Sequence, residues 1–314
     1  MKNVVGKLQV NEDFFSSHKA LPFTLTKNSL RTEIISWNTK DIYYPSNMQD
    51  ANIRLNYLMN NAKQAGLDDM AMPDQPSKEK TQEETHEITF EEFSSYYDSD
   101  MVKKQGSIWN IDKLYTSIFI TKETNDKIRE KYNRNVSLVY PAADCAVVRY
   151  YDKEKQIIGI THSDAVHTGN NIIKDMTAYM KNHFKSNLED IEVYVGAFAY
   201  DDWIYDGEPK FMYEKDKEGN AIGLNKEWKN YIESIGNNKY KIHYGDKIFD
   251  QINQSGIPKE NIYFSDDNTL FNRNYFSNSR SKNEGERQGR NLFGITFASD
   301  EIIENKEKSG IKLQ

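Results

Sequence analysis

The stretch Ala143-Asp144-Cys145-Ala146-Val147-Val148-Arg149-Tyr150-Tyr151, the polar Asp152-Lys153-Glu154-Lys155, and then Gln156-Ile157-Ile158-Gly159-Ile160-Thr161-His162-Ser163-Asp164 decide how the chain is read. The β-branched and aromatic runs at 146–151 and 156–161 suit two strands, with a turn at 152–155 between them. The stretch holds the only cysteine of the chain and, seventeen positions on, His162. In an antiparallel pair joined this way, the start of the first strand and the end of the second lie side by side, so thiol and imidazole approach each other. Three readings follow. The imidazole draws off the thiol proton to make a nucleophile, both groups bind a borderline cation such as zinc, or the cysteine is packed and the histidine hydrogen-bonded.

Outward from this stretch the pattern is that of a mixed α/β (α+β) chain. Ser163-Asp164 leads into a helix, and Ile172, Ile173, Met176, Met180 and Phe184 fall on one helical face across 170–184. Strands are expected at 118–121, 137–140, 191–198, 262–264 and 292–297, and helices at 225–235 and 246–256, the last stopped by Gly256 before Pro258. Upstream, 21–25 and 33–37 read as strands and 47–66 as a helix ending at Gly66. Strands separated by helices without a sequence repeat predict one domain over 1–314 of layered sheets covered by helices. The polar run around Ser77-Lys78-Glu79-Lys80-Thr81 buries too little to offset the entropy of ordering, which predicts a mobile insertion at 69–105. Within it, Phe90, Phe93, Tyr96 and Tyr97 are spaced for a short amphipathic helix that docks back.

Composition narrows the function classes. The net charge of −7, with dispersed acidic residues, disfavours a nucleic-acid partner. No apolar run is long enough for a membrane helix, and the N-terminus lacks the apolar core of a signal peptide, so a cytoplasmic protein is expected. A single cysteine excludes an internal disulfide framework.

In these blocks the sequence resembles the laccase-domain proteins, also called multicopper polyphenol oxidase-like proteins and described as zinc-containing purine nucleoside phosphorylases with adenosine deaminase activity. Ala143-Asp144-Cys145 is similar to that family's Ala-Asp-Cys, and Gly159-Ile160-Thr161-His162-Ser163 to its Gly-apolar-small-His block, at the family's spacing. Downstream, Gly256-Ile257, Glu260-Asn261-Ile262, Phe276-Ser277, Arg280 and Gly289-Arg290 are similar to its C-terminal turn and ending. The resemblance implies Cys145 and His162 as catalytic residues and zinc ligands, with Arg280, Arg290 and Phe276 near the substrate. Tyr200, in the aromatic group Phe198, Tyr200, Trp203 and Tyr205, is a candidate to stack a purine, against the alternative that these rings are core.

The sequence also departs from the family pattern. Leu114 stands where the resemblance expects the third zinc ligand, so zinc would need His167, His243 or Asp164 instead. Val166 replaces the arginine expected to attract phosphate, which weighs against phosphorolysis and less against hydrolysis or deamination. Three functions remain in view: an enzyme on purine nucleosides, a metal-free Cys-His hydrolase such as the glutamine deamidases of cytotoxic necrotizing factor-type toxins by fold-level analogy, and a relative that binds a nucleotide or a protein partner without catalysis.

Overall fold

The computed structural model describes residues 34–39, 69–73, 85–98, 108–111, 116–200, 203–215, 220–265, 267–273, 275–286 and 290–297. In chain order the strands and helices are β1 (Ile34–Thr39), β2 (Asp69–Pro73), β3 (Thr85–Glu87), α1 (Phe90–Tyr97), β4 (Ile108–Ile111), β5 (Ser117–Thr121), α2 (Lys122–Tyr132), β6 (Val136–Ala142), β7 (Ala146–Asp152), β8 (Ile157–Ser163), α3 (Ala165–Gly169), α4 (Ile172–His183) and β9 (Ile191–Val195). Then follow β10 (Trp203–Asp206), β11 (Tyr213–Lys215), β12 (Ala221–Leu224), β13 (Ile232–Gly236), β14 (Lys239–Ile242), α5 (Tyr244–Gln254), β15 (Ile262–Phe264), α6 (Asn278–Glu284) and β16 (Asn291–Phe297).

Two mixed sheets form the centre. One has the order β1-β16-β6-β2-β4 and the other β15-β9-β7-β8-β5-β3. Successive side chains of a strand point to opposite faces, and β7 shows what that does here. Val147 and Tyr151 join Leu138, Tyr140, Phe293 and Ile295 in a core between the two sheets. Ala146, Val148 and Tyr150 face the opposite way, into a second core with Ile173, Met176 and Met180 of α4 and Ile248 and Ile252 of α5. The layers are therefore sheet, sheet and helices. Because both faces of β7 and β8 are covered, all seven residues of each strand are buried and the strands read as nearly continuous apolar runs rather than as alternating ones.

The tight turn after β7 has a local cause. Asp152 Oδ1 accepts from the Glu154 N–H (3.0 Å) and the Lys155 N–H (2.8 Å), and Gln156 takes a left-handed φ of 52°. This sets the β7–β8 register, in which Val147 lies opposite His162 and Ala146 opposite Ser163.

One expectation is corrected. Residues 225–235 are not a helix: Lys226–Trp228 makes one 3-10 turn and Ile232–Gly236 is a strand paired with β14. Asn237 and Asn238, at φ 50° and 56°, form a tight hairpin turn of the kind that asparagine tolerates, and pairing across it outweighs the helical spacing of Trp228, Tyr231 and Ile232. Within the 69–105 segment, the described residues include strands of both sheets. β2 lies between β6 and β4, β3 pairs with β5, and Ala71, Ile88 and Phe93 are buried. Its helix at Phe90–Tyr97 is present as expected, capped by Thr89 with a reciprocal bond from Glu92. The expected strand at 21–25 and helix at 47–66 lie outside the described residues.

Candidate functional site around Cys145 and His162

Residues 143–145 are where the chain crosses from one central sheet to the other, since β6 belongs to the five-stranded sheet and β7 to the six-stranded one. Asp144, in the middle of the crossing, has a left-handed φ of 74°. Its buried carboxylate accepts hydrogen bonds from Thr269 Oγ1 (2.7 Å), Ser277 Oγ (3.0 Å) and the Ser279 N–H (2.7 Å). Its carbonyl accepts one from the Ala199 N–H at 3.0 Å. Cys145 follows, partly buried, and packs against the inter-sheet core on the same side as Val147.

His162 is directly across from Val147, so its imidazole enters that inter-sheet space too. It is 7% exposed and stacks on Tyr140 of the facing sheet, ring centres 4.8 Å apart and planes at 26°. Its backbone N–H donates to the Thr116 carbonyl. Among the described residues, its ring nitrogens have no hydrogen-bond partner. The end of the hairpin is clamped by Tyr244, the first residue of α5: its buried hydroxyl accepts from the Ala146 N–H (3.2 Å) and donates to the Ser163 carbonyl.

Beyond β8 the chain turns at Asp164, which caps the short helix α3. Its Oδ1 accepts from the N–H groups of Val166 and His167 (2.9 Å each) and lies 2.8 Å from His167 Nδ1. The same charges act on thiol and imidazole, which places Cys145, His162, Asp164 and Arg290 in one electrostatic neighbourhood. Burial pushes the Cys145 thiol well above its ordinary pKa; Asp164 and Asp144 add to this and Arg290 opposes it. Burial pushes the His162 imidazole down to about 4; Asp164 opposes this, while His167 and Arg290 deepen it. Burial acts to raise the Asp164 carboxyl, but the bond from His167 and the nearby imidazoles outweigh it and hold the carboxyl well below the usual carboxylate range. At neutral pH the site therefore presents a protonated thiol, a neutral imidazole and an ionised carboxylate.

The other candidates lie in different settings. Arg280 is buried, and its guanidinium donates to the carbonyls of Thr269, Asn272 and Tyr275 and to Glu286, so it gathers the loop that precedes α6. Phe276 is locked through its backbone to the Asn291 side-chain amide, at 2.9 Å in both directions. Tyr200 packs on Phe198 with ring centres 5.6 Å apart, and its carbonyl accepts from the Gly245 N–H. Trp203 packs against Tyr205, Phe211 and Tyr244, so much of the aromatic group is packing between the small β10-β14-β13 sheet and α5. His243 precedes α5 and lies 3.7 Å from Glu233 and 3.6 Å from Asp246.

Among the described residues, no three His, Cys, Asp or Glu side chains are grouped to hold a metal ion. Asp164 Oδ1 is already committed to His167 and two backbone N–H groups, His243 is drawn to other carboxylates, and Leu114 lies outside the described residues. A catalytic zinc normally has three protein ligands. The described donors do not fit the zinc expected from the resemblance.

Sequence reasoning missed Tyr140, Tyr244 and the anchoring of Asp144. Each joins the hairpin to an element far away in the chain, and no local pattern signals such a partner.

Two packed mixed sheets flanked by helices, with a cysteine and a histidine between the sheets, define the class. Residues 121–298 match the family described as multi-copper polyphenol oxidoreductase laccase, more than half of the chain, and the protein belongs to that family. Purine nucleoside phosphorylase YlmD of Staphylococcus aureus is 27% identical over 132 residues, 42% of this chain and 46% of that relative. A purine nucleoside phosphorylase of Staphylococcus epidermidis is 23% identical over 198 residues, 63% of this chain and 65% of the relative. The matched region thus spans about half the length of the Staphylococcus aureus relative. Among solved structures, the hypothetical protein YfiH of Bacillus licheniformis superposes with a TM-score of 0.62 at 18% identity, covering 89% of this chain and 98% of that one. YlmD of Geobacillus stearothermophilus gives 0.59 at 12% identity, covering 90% and 98%. Both show the same fold. No helix among the described residues is long and apolar enough to cross a membrane.

Proposed function

We propose that this protein acts on purine nucleosides at the site formed by Cys145 and His162, by attack of water rather than phosphate. The observation that carries the reading is the state of His162: buried, held by the Tyr140 ring, neutral at physiological pH, and with its ring nitrogens unpaired among the described residues. A neutral imidazole accepts the proton of a water as its oxygen attacks the purine C6 of adenosine. The imidazolium then returns that proton to the departing amino group, so adenosine and water become inosine and ammonia. The Cys145 thiol, protonated and packed at the edge of the same inter-sheet core, is a potential hydrogen-bond donor to the substrate. The purine nucleoside phosphorylase names of the relatives supply the substrate class. Val166, 41% exposed where the family pattern has an arginine, supports water over phosphate.

A thiolate nucleophile is less well supported, because burial stabilises the uncharged form of both partners and disfavours an ion pair at rest. The test is incubation of the purified protein with adenosine and inosine, with and without phosphate, and chromatography of the products. Phosphate-independent conversion of adenosine that is lost in His162→Asn is expected. Unchanged nucleosides under every condition would sink the proposal.

A further inference from the structure

The crossing that carries Cys145 is held from behind by groups the proposed reaction does not use. Residues 143–145 belong to no strand ladder, so the backbone bonds that orient β7 begin only at Ala146. Asp144 supplies what the ladder does not. Its carboxylate takes three donors from one distant segment, Thr269, Ser277 and Ser279, and its carbonyl takes a fourth from Ala199. Three hydrogen bonds converging on one carboxylate fix its orientation. They also hold Asp144 in a left-handed conformation that most side chains resist. The donor segment is in turn shaped by Arg280, which gathers the carbonyls of Thr269, Asn272 and Tyr275. Ser277 accepts from the Arg280 N–H while donating to Asp144. A continuous series of bonds thus runs from the buried guanidinium to the residue next to the thiol.

We infer that Asp144 is a positioning residue for Cys145, and that Thr269, Ser277 and the Arg280-built loop act on the thiol through it. The inference rests on the Cys145/His162 site being the functional one. Its readout needs no turnover, so a protein inert towards nucleosides would defeat the functional proposal and leave this one standing.

The experiment is alkylation of Cys145 by iodoacetamide in the full chain, with thermal melting recorded for every variant. A part-buried thiol reacts through local openings. Loss of one donor to the carboxylate in Thr269→Val is expected to speed labelling about tenfold. Thr269→Ser keeps the hydroxyl and is expected to restore the original rate. Ser277→Ala repeats the test at a second donor. Ile128→Ala, in α2, serves as the control that destabilises through packing alone. Unchanged labelling in both Thr269→Val and Ser277→Ala would overturn the inference, as would equal acceleration in Ile128→Ala or failure of Thr269→Ser to rescue.

Discussion

Tyr140 and His162 stack across the boundary between the two central sheets, Tyr140 from β6 and His162 from β8, with ring centres 4.8 Å apart. A ring held by its face keeps its nitrogens available to a ligand, whereas one held by hydrogen bonds does not. The stack is also part of the burial that keeps His162 uncharged.

That burial makes stability depend on pH. The His162 pKa falls from 6.5 to about 4 in the folded chain, so between these values the unfolded chain binds a proton that the folded one does not. The stability present above pH 6.5 is expected to decline as pH falls and to be lost below about pH 4. The His162 contribution is on the order of 3 kcal/mol at about 1.4 kcal/mol per pH unit. Asp164 is held below its ordinary 3.8, so its own loss begins at more acid pH. Urea unfolding at a series of pH values should show a flatter slope between pH 4 and 6.5 in His162→Asn, and an unchanged slope would refute this assignment.

Tyr244→Phe tests the clamp on the hairpin end. It removes the hydroxyl that joins the Ala146 N–H to the Ser163 carbonyl and leaves both groups buried without that partner. The expected cost is about 1–3 kcal/mol by chemical denaturation. A neutral outcome would mean that the two groups find each other or water instead.

Gly159→Ala tests the fit between β8 and β5. Gly159 is paired with Phe119, and a Cβ there would stand 2.2 Å from the Phe119 ring. Overpacking of this kind costs about 1–3 kcal/mol, and Phe119→Leu in the same chain should recover part of it. Equal stability of Gly159→Ala and the parent would show that the ring moves aside without cost.

Val166→Arg tests the proposed attack by water rather than phosphate. Val166 is partly exposed on α3 next to the Asp164–His167 pair. A guanidinium there would give phosphate a bidentate partner, and nucleoside consumption should become phosphate-dependent, rising about tenfold at saturating phosphate. Consumption by Val166→Arg that ignores phosphate would argue that this position does not face the substrate.

Much of the fold was legible locally. The turn at 152–155, the strands at 117–121, 136–142 and 191–195, and the helix at 172–183 rest on side-chain period and short-range bonds, and the structure has them close to where they were expected. The helix expected at 225–235 failed because spacing alone cannot separate a short helix from a hairpin whose turn is built by two asparagines. The strands at 69–73 and 85–87 were missed because a short strand in a polar neighbourhood is recognised only by the partners that pair with it.

The division at the site follows the same line. The sequence alone determined that one cysteine and one histidine lie at adjacent ends of a hairpin, because strand period and turn length fix which residues stand opposite each other. Only the tertiary structure decided what surrounds them. Tyr140 comes from the other sheet, Tyr244 from a helix about eighty residues downstream of the hairpin end, and the donors to Asp144 from more than a hundred residues away. Charge state and orientation depend on those partners, and packing brings them together without leaving a periodic trace in the chain.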